Sequence, residues 1–222
     1  LAGDNGYGID PVKLKTLSLE IKKALDTGVE IGVVVGGGNI HRGVAGATVG
    51  MDRSTSDYMG MIATMINCMA LQDSLDQLNV PTRLMSAIDM RQVAEPYIRR
   101  RAVRHLEKKR VVIFGAGVGA PYFTTDTTAA LRGNEINANI IMKATKVDGV
   151  YDCDPMKNKN AVKFDKLTYL DVLNKEIKIM DSTAITLCMD NKMNILVFNM
   201  FEEGNILKAI KGETIGTLIS KE

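Results

Sequence analysis

The sequence has no tryptophan, only two histidines and three cysteines, and few aromatic residues among its 222 positions. Cys68, Cys153 and Cys188 are odd in number, far apart and in no metal-ligand spacing. That excludes a disulfide framework and fits a reducing compartment. No apolar run approaches the roughly 20 residues that a bilayer-spanning helix needs, and no secretory leader is expected. The expectation is a cytoplasmic protein with no membrane partner. Charge of one sign is also missing: 28 Lys and Arg face 26 Asp and Glu, and a net charge of +2 gives no case for nucleic acid as a partner. There is no Gly-x-x-x-x-Gly-Lys-Ser/Thr loop and no protein-kinase signature set. With 45% apolar residues the chain is not a disordered one, and its length suits one large α/β domain or two small ones.

What the chain does have is two glycine-rich tracts, each after a short apolar strand. Residues 31–35 (Ile-Gly-Val-Val-Val) run into Gly36-Gly37-Gly38-Asn39-Ile40-His41-Arg42-Gly43. Residues 111–114 (Val-Val-Ile-Phe) run into Gly115-Ala116-Gly117-Val118-Gly119-Ala120-Pro121-Tyr122-Phe123-Thr124-Thr125-Asp126. Glycines at the carboxyl end of a strand expose backbone N–H groups, and a following helix N-terminus adds to their preference for phosphate. Two such tracts imply two phosphorylated ligands, or one spanning both, and hence phosphoryl transfer.

Asp10-Pro11 is a helix start, with Leu14, Leu17, Ile21 and Leu25 on one face and Gly28 as the stop. The strand at 31–35 reads as covered on both faces. A long helix follows over 52–78, with Met59, Met61, Ile62, Met65, Ile66, Met69 and Leu71 as a stripe for core or subunit contact. A strand over 80–85 leads to a basic helical stretch over 92–109, where Pro96 marks a start or kink. The second glycine strand precedes a helix over 125–135 and a strand over 139–144. A polar loop through 163, helices over 168–174 and 182–191, a strand over 194–198, a helix over 205–211 and a strand over 214–219 complete the order. Strands alternating with helices predict an α/β fold: a mainly parallel central sheet with helices on both faces, as one domain over 1–222. The opening Leu1-Ala2-Gly3-Asp4 reads as a loop, so a strand is expected ahead of it.

Arg42 offers a planar, permanently charged fork to phosphate oxygens; His41 beside it is as well suited to packing. Asp57, near a helix start, is either a first-turn acid complementing the helix dipole or an acceptor for ribose hydroxyls. The second tract departs from the dinucleotide fingerprint: its third glycine comes one position early, Pro121 follows at once, and the strand at 140–142 leads to Lys143 rather than an acid. Thr124, Thr125, Asp126, Thr127 and Thr128 form a hydroxyl-rich helix start, partly capping and partly suited to phosphate or base. Lys143, at a strand terminus, can supply charge to a transferring phosphoryl group, and Asp126 can orient that lysine or a Mg²⁺ ion. The run Arg99, Arg100, Arg101, Arg104, Lys108, Lys109 and Arg110 reads first as a solvated helix face.

These tracts resemble the bacterial UMP kinase (uridylate kinase) family of the amino acid kinase superfamily. The match also rests on Asp57-Tyr58-Met59-Gly60-Met61, Arg83-Leu84-Met85-Ser86-Ala87, Lys143-Ala144-Thr145-Lys146-Val147-Asp148-Gly149-Val150-Tyr151, Asp154-Pro155 and Val197-Phe198-Asn199-Met200. The resemblance implies transfer of the ATP γ-phosphate to UMP with Mg²⁺, giving UDP for pyrimidine nucleotide synthesis. It implies phosphate contacts from Gly37, Gly38 and Arg42, and a ribose contact from Asp57. Val118, Gly119, Ala120, Pro121, Tyr122, Phe123, Thr124 and Thr125 would surround UMP; Gly38, Arg42, Thr145, Tyr151 and Asp154 would serve ATP. Asp126 would organise the catalytic centre with Arg42 and Lys143, supported by Asp181. The resemblance further implies a homohexamer inhibited by UTP and activated by GTP, with Gly3, Asp4, Asn5, Gly6, Tyr7, Gly8, Arg83 and Arg110 as the GTP-responsive region.

Two features depart from that family. Its opening strand ends in Lys-x-Ser-Gly, which this sequence does not contain, and Ala120 stands where many members have asparagine. The alternatives are a related kinase acting on a carboxylate or carbamate, and a nucleotide-sensing regulator without turnover.

Overall fold

Val111–Gly115 is an uninterrupted apolar strand, β4, and every one of its residues is buried. The computed structural model describes residues 1–3, 6–41, 50–153, 155, 157–158, 160–200 and 202–221. Contacts divide the chain into two compact units, Leu1–Thr128 and Ala129–Glu222.

In the first unit, α1 (Pro11–Leu25) precedes β1 (Gly32–Val34), α2 (Arg53–Asp76), β2 (Thr82–Ser86), β3 (Glu95–Pro96), α3 (Arg99–Glu107) and β4. The sheet runs β1-β4-β2-β3 with all pairings parallel. Asp10 caps α1 through hydrogen bonds from the N–H groups of Val12 and Lys13, as its pairing with Pro11 predicts. Ile21 of α1 and Met61, Met65, Cys68, Leu71 and Leu75 of α2 pack with Leu84, Val111 and Ile113 in one core. Side chains alternate along a strand, so Val112 and Phe114 face the other way, where Tyr97 meets Phe114 edge-on at 5.7 Å. Ala102 and Leu106 of α3 are buried as well.

The second unit begins within α4 (Thr125–Glu135) and continues through β5 (Ile141–Thr145), β6 (Val150–Tyr151), β7 (Lys163–Phe164) and β8 (Lys166–Thr168). It then runs through α5 (Tyr169–Asn174), α6 (Ser182–Asp190), β9 (Ile195–Asn199), α7 (Asn205–Ile210) and β10 (Thr217–Ser220). Its sheet is ordered β5-β9-β10-β8, parallel except for the β9–β10 pair. Tyr169, Ile185, Ile195 and Ile219 anchor its core. The mainly parallel α/β expectation holds.

Several boundaries differ from the sequence reading. The stretch 92–98 is not helical: Glu95–Pro96 is an edge strand paired with Met85 and Ser86. The residue before a proline is pushed toward extended backbone, and an edge strand tolerates the missing N–H. Within the polar loop, β6 and β7 form an antiparallel ribbon of two residues each, too short to leave a period. The short β8 ends at Thr168, which opens α5 with a capping box to Asp171. β1 is an edge strand among the described residues, with Gly32 exposed and Val33 and Val34 half-buried. The methionine stripe of α2 divides. Met61, Met65 and Leu71 enter the core, while Tyr58, Met59, Ile62, Ile66 and Met69 remain 41–48% exposed.

Candidate functional site

The first glycine tract lies against α2. A Cβ on Gly37 would stand 2.7 Å from the Gly60 carbonyl oxygen and 2.9 Å from the Thr64 nitrogen, so only glycine fits. Gly37 is buried and packs the loop onto the helix, whereas Gly38 is exposed. The Gly37 carbonyl accepts hydrogen bonds from the N–H groups of Ile40 and His41. His41 Nε2 lies 2.9 Å from Ser56 Oγ, which makes it a packing residue on α2. Asn67, fully buried in α2, donates to the Gly36 carbonyl at 2.7 Å and exchanges hydrogen bonds with Asn39. The sequence reading missed Asn67, although an amide inside a Met-rich helix is a visible signal.

The second tract turns through left-handed backbone at Ala116, Gly117, Gly119 and Tyr122, with φ between 59° and 84°. Thr64 Oγ1 accepts from the Ala116 N–H at 2.9 Å. A Cβ on Gly119 would meet the Ala87 carbonyl oxygen at 2.9 Å. Asp57 Oδ2 accepts from the Tyr122 N–H at 2.9 Å and from Arg53 Nε at 2.8 Å. The Arg53 guanidinium also lies 5.5 Å from the centroid of the Tyr122 ring. Asp57 Oδ1 takes no hydrogen bond from a described residue. Tyr122 and Phe123 are 66% and 52% exposed, and Ala120, Thr124 and Thr125 are exposed with them, while Val118, Gly119 and Pro121 are half-buried.

The hydroxyls at the start of α4 divide their work. Thr124 Oγ1 accepts from the N–H groups of Asp126 and Thr127 and is therefore the cap. Thr127 and Thr128 are buried. Thr125 Oγ1 lies 3.3 Å from where a Cβ on Gly36 would stand, so the first glycine tract meets the N-terminus of α4 there. Asp126 is half-buried in the first turn. The first unit thus brings together both glycine tracts, Asp57 and the start of α4. Arg42, like Asp4, Asn5 and Asp154, lies outside the described residues.

In the second unit, Lys143 is not at a strand terminus: it sits mid-strand in β5, opposite Val197. Thr145 spends its hydroxyl on the carbonyls of Val147 and Phe198. A cleft of about 550 Å³ is lined by Thr145, Tyr151, Cys153, Pro155, Val197 and residues 175–179, among others. At its rim the Tyr151 hydroxyl donates to Asp148, which also pairs with Lys163 Nζ at 3.2 Å. The hydrogen bond from Tyr151, seconded by Lys163, holds the Asp148 carboxyl below its ordinary range; the same bond pushes the Tyr151 phenol up. Asp181 is the N-cap of α6, accepting from the Ala184 N–H at 2.9 Å. Among the described residues, no three His, Cys, Asp or Glu side chains gather into a metal site.

The residues assigned to GTP fall into two groups. Gly8 exchanges hydrogen bonds with Asn39 of the first glycine tract, Gly3 and Gly6 share a turn, and Tyr7 is exposed. Arg83 and Arg110 belong instead to a charge cluster on Glu95. His105 Nε2 lies 3.0 Å from Glu95, and Arg110 donates to His105 Nδ1 at 2.9 Å. That places the imidazole proton on Nε2, donating to Glu95. Arg101 lies 3.5 Å from Glu95, and the buried Nε of Arg83 lies 3.9 Å away without a hydrogen bond.

Residues 3–199 match the Amino acid kinase family, and the chain belongs to that family. The fold is similar to UMP kinase from Bacillus anthracis, with a TM-score of 0.97 and 40% identity over 100% of this chain and 92% of the other. UMP kinase from Ureaplasma parvum is also 40% identical, with a TM-score of 0.91 over 96% of this chain and 91% of that one. Uridylate kinase from Archaeoglobus fulgidus gives 0.75 at 30% identity, over 95% and 94%.

Proposed function

We propose that this protein is a UMP kinase, which phosphorylates UMP to UDP with Mg²⁺-bound ATP and releases ADP, in pyrimidine nucleotide synthesis in the cytoplasm. One observation carries the reading. The Asp57 carboxylate ties the start of α2 to Tyr122, beside a glycine tract and the N-terminus of α4, in a chain 40% identical along its whole length to a UMP kinase.

UMP is the ligand of the first unit. Asp57 Oδ1 accepts from the ribose, the exposed segment 120–125 covers the nucleotide, and Gly38 and Arg42 with the α4 N-terminus favour its phosphate. Val118, Gly119 and Pro121 shape the segment, and Gly37 and Thr124 keep loop and helix in place. ATP is the ligand of the second unit, with Thr145 and Tyr151 lining its cleft and Asp154 as a further ATP contact. Phosphoryl transfer asks for positioning and charge rather than covalent chemistry. Arg42 supplies cationic charge in the first unit, where Asp126 is the catalytic carboxylate, and Lys143 supplies cationic charge in the second. Asp181 acts at one remove, as the cap of α6. Mg²⁺ would be held mainly by the nucleotide phosphates, a usual arrangement for this ion.

The active form is a homohexamer that responds to UTP and GTP. The exposed apolar stripe of α2 supports self-association. The test is ³¹P NMR of ATP, UMP and Mg²⁺ with the protein. Resonances of UDP and ADP should grow together at the expense of ATP. Unchanged ATP in the presence of UMP contradicts the proposal.

A further inference from the structure

We propose that Asp148 is a positioning residue: it holds the Tyr151 ring as one wall of the cleft in the second unit and thereby sets the cleft's affinity for the purine base of the donor nucleotide. The inference rests on the assignment of that cleft to ATP.

Tyr151 ends β6 and lines the cleft, and its hydroxyl donates to one oxygen of Asp148. Lys163 of β7 donates to the other oxygen at 3.2 Å. The carboxylate thus joins the two strands of the ribbon and fixes the phenol at the same time. The turn that carries Asp148 is itself anchored. A Cβ on Gly149 would stand 2.7 Å from Thr217 Oγ1, and the Val150 N–H donates to that same oxygen at 2.8 Å. Asp148 is therefore presented from a backbone pinned to β10. An aromatic wall half open to solvent rotates freely unless something holds its far end, and ordering it only on binding weakens the complex. A fixed ring has already met that entropy cost. The direction of both titrations agrees, because the carboxyl is held ionised and the phenol protonated.

A merely structural staple between β6 and β7 predicts something different, namely loss of stability with no selectivity between the two nucleotides. Calorimetric titration separates the two. ATP and UMP are titrated separately into the wild-type protein, Asp148→Ala, Tyr151→Phe and the double variant, with thermal melting of each. Each single change should weaken ATP about fivefold, the scale of one lost hydrogen bond. The double variant should be no weaker than either single one, since both remove the same constraint. UMP affinity and melting temperature should stay at the wild-type values. Unchanged ATP affinity in either single variant, multiplied effects in the double, or an equal loss of UMP affinity overturns the role of Asp148.

Cys153 on the cleft wall keeps the underlying assignment separately accountable. ATP should slow its alkylation by iodoacetamide in the wild-type protein. Absence of protection overturns the donor-cleft assignment and this inference with it. Protection combined with unchanged affinities in the variants overturns only the role of Asp148.

Discussion

Asp57 Oδ2 accepts the backbone N–H of Tyr122 at 2.9 Å, across 65 positions of sequence. Tyr122 has φ of +71°, a conformation that costs a bulky residue roughly 1–3 kcal/mol. A hydrogen bond to an ionised carboxylate is about twice as strong as a neutral one and offsets much of that cost. The acid read from sequence as a ribose acceptor or a helix-dipole partner is, in the fold, first a clamp on the loop that would cover the acceptor nucleotide.

Asp57→Ala should therefore raise KM for UMP by at least ~10-fold and destabilise the protein by ~1–3 kcal/mol, because Tyr122 N–H and Arg53 lose their acceptor together. Asp57→Asn keeps an acceptor without the charge and should cost less in both respects. Steady-state kinetics with each nucleotide varied in turn will show the effect on UMP rather than ATP. An unaltered KM for UMP in Asp57→Ala contradicts the clamp.

The two threonines at the start of α4 should behave oppositely. Thr124→Ala removes a cap and should lower stability by ~1 kcal/mol, or ~2–4 °C in Tm for a chain of this size. Thr125→Ala should leave Tm unchanged and weaken UMP binding severalfold, the loss of about one hydrogen bond. Melting curves and UMP titrations of the pair decide it. A Tm change in Thr125→Ala alone reverses the assignment.

Only one of the three thiols should be reactive in the native protein. Cys68 and Cys188 are fully buried, and burial pushes each thiol up to about 12, so thiolate is scarce at pH 8. Cys153 is exposed. Titration with a chromogenic disulfide at pH 8 should count one fast thiol in buffer and three in guanidinium chloride. Two or more fast thiols in buffer contradict the buried placement of Cys68 and Cys188.

Opposite faces of α2 should answer to different measurements. Leu71→Ala opens a cavity in the first core and should cost ~2–5 kcal/mol of stability. Ile62→Lys and Ile66→Lys change exposed positions and disturb no core packing within the subunit, so any fall in Tm should come from loss of the assembly. The lysines should lower the sedimentation coefficient, because they place charge in the stripe proposed for self-association. Identical sedimentation of wild type and both lysine variants removes α2 from the assembly.

The element order was largely legible in sequence because the strong signals are local. Asp10-Pro11 writes a helix start, and the run at 111–115 can only be a covered strand. What failed was short or non-local. Two-residue strands such as β3, β6 and β7 leave no period, and Pro96 masked an edge strand. The stripe on α2 was legible as core or subunit contact, but which half meets the core depends on where β4 packs. In the site, the residue types were readable and their division of work was not. Thr124 and Asp181 turn out to cap helices, Gly37 to pack against α2, and Arg53, Thr64, Asn67 and Asp148 to hold the loops. Each of those roles depends on contacts between distant segments or on the detail of a helix start.

The most direct measurement is ADP release by the protein with Mg²⁺-ATP against UMP, CMP, carbamate and N-acetylglutamate. The account predicts release with UMP far above every other acceptor. Release with carbamate or N-acetylglutamate instead, or with no acceptor at all, contradicts it and leaves the chain as a family member with another substrate or as a nucleotide sensor.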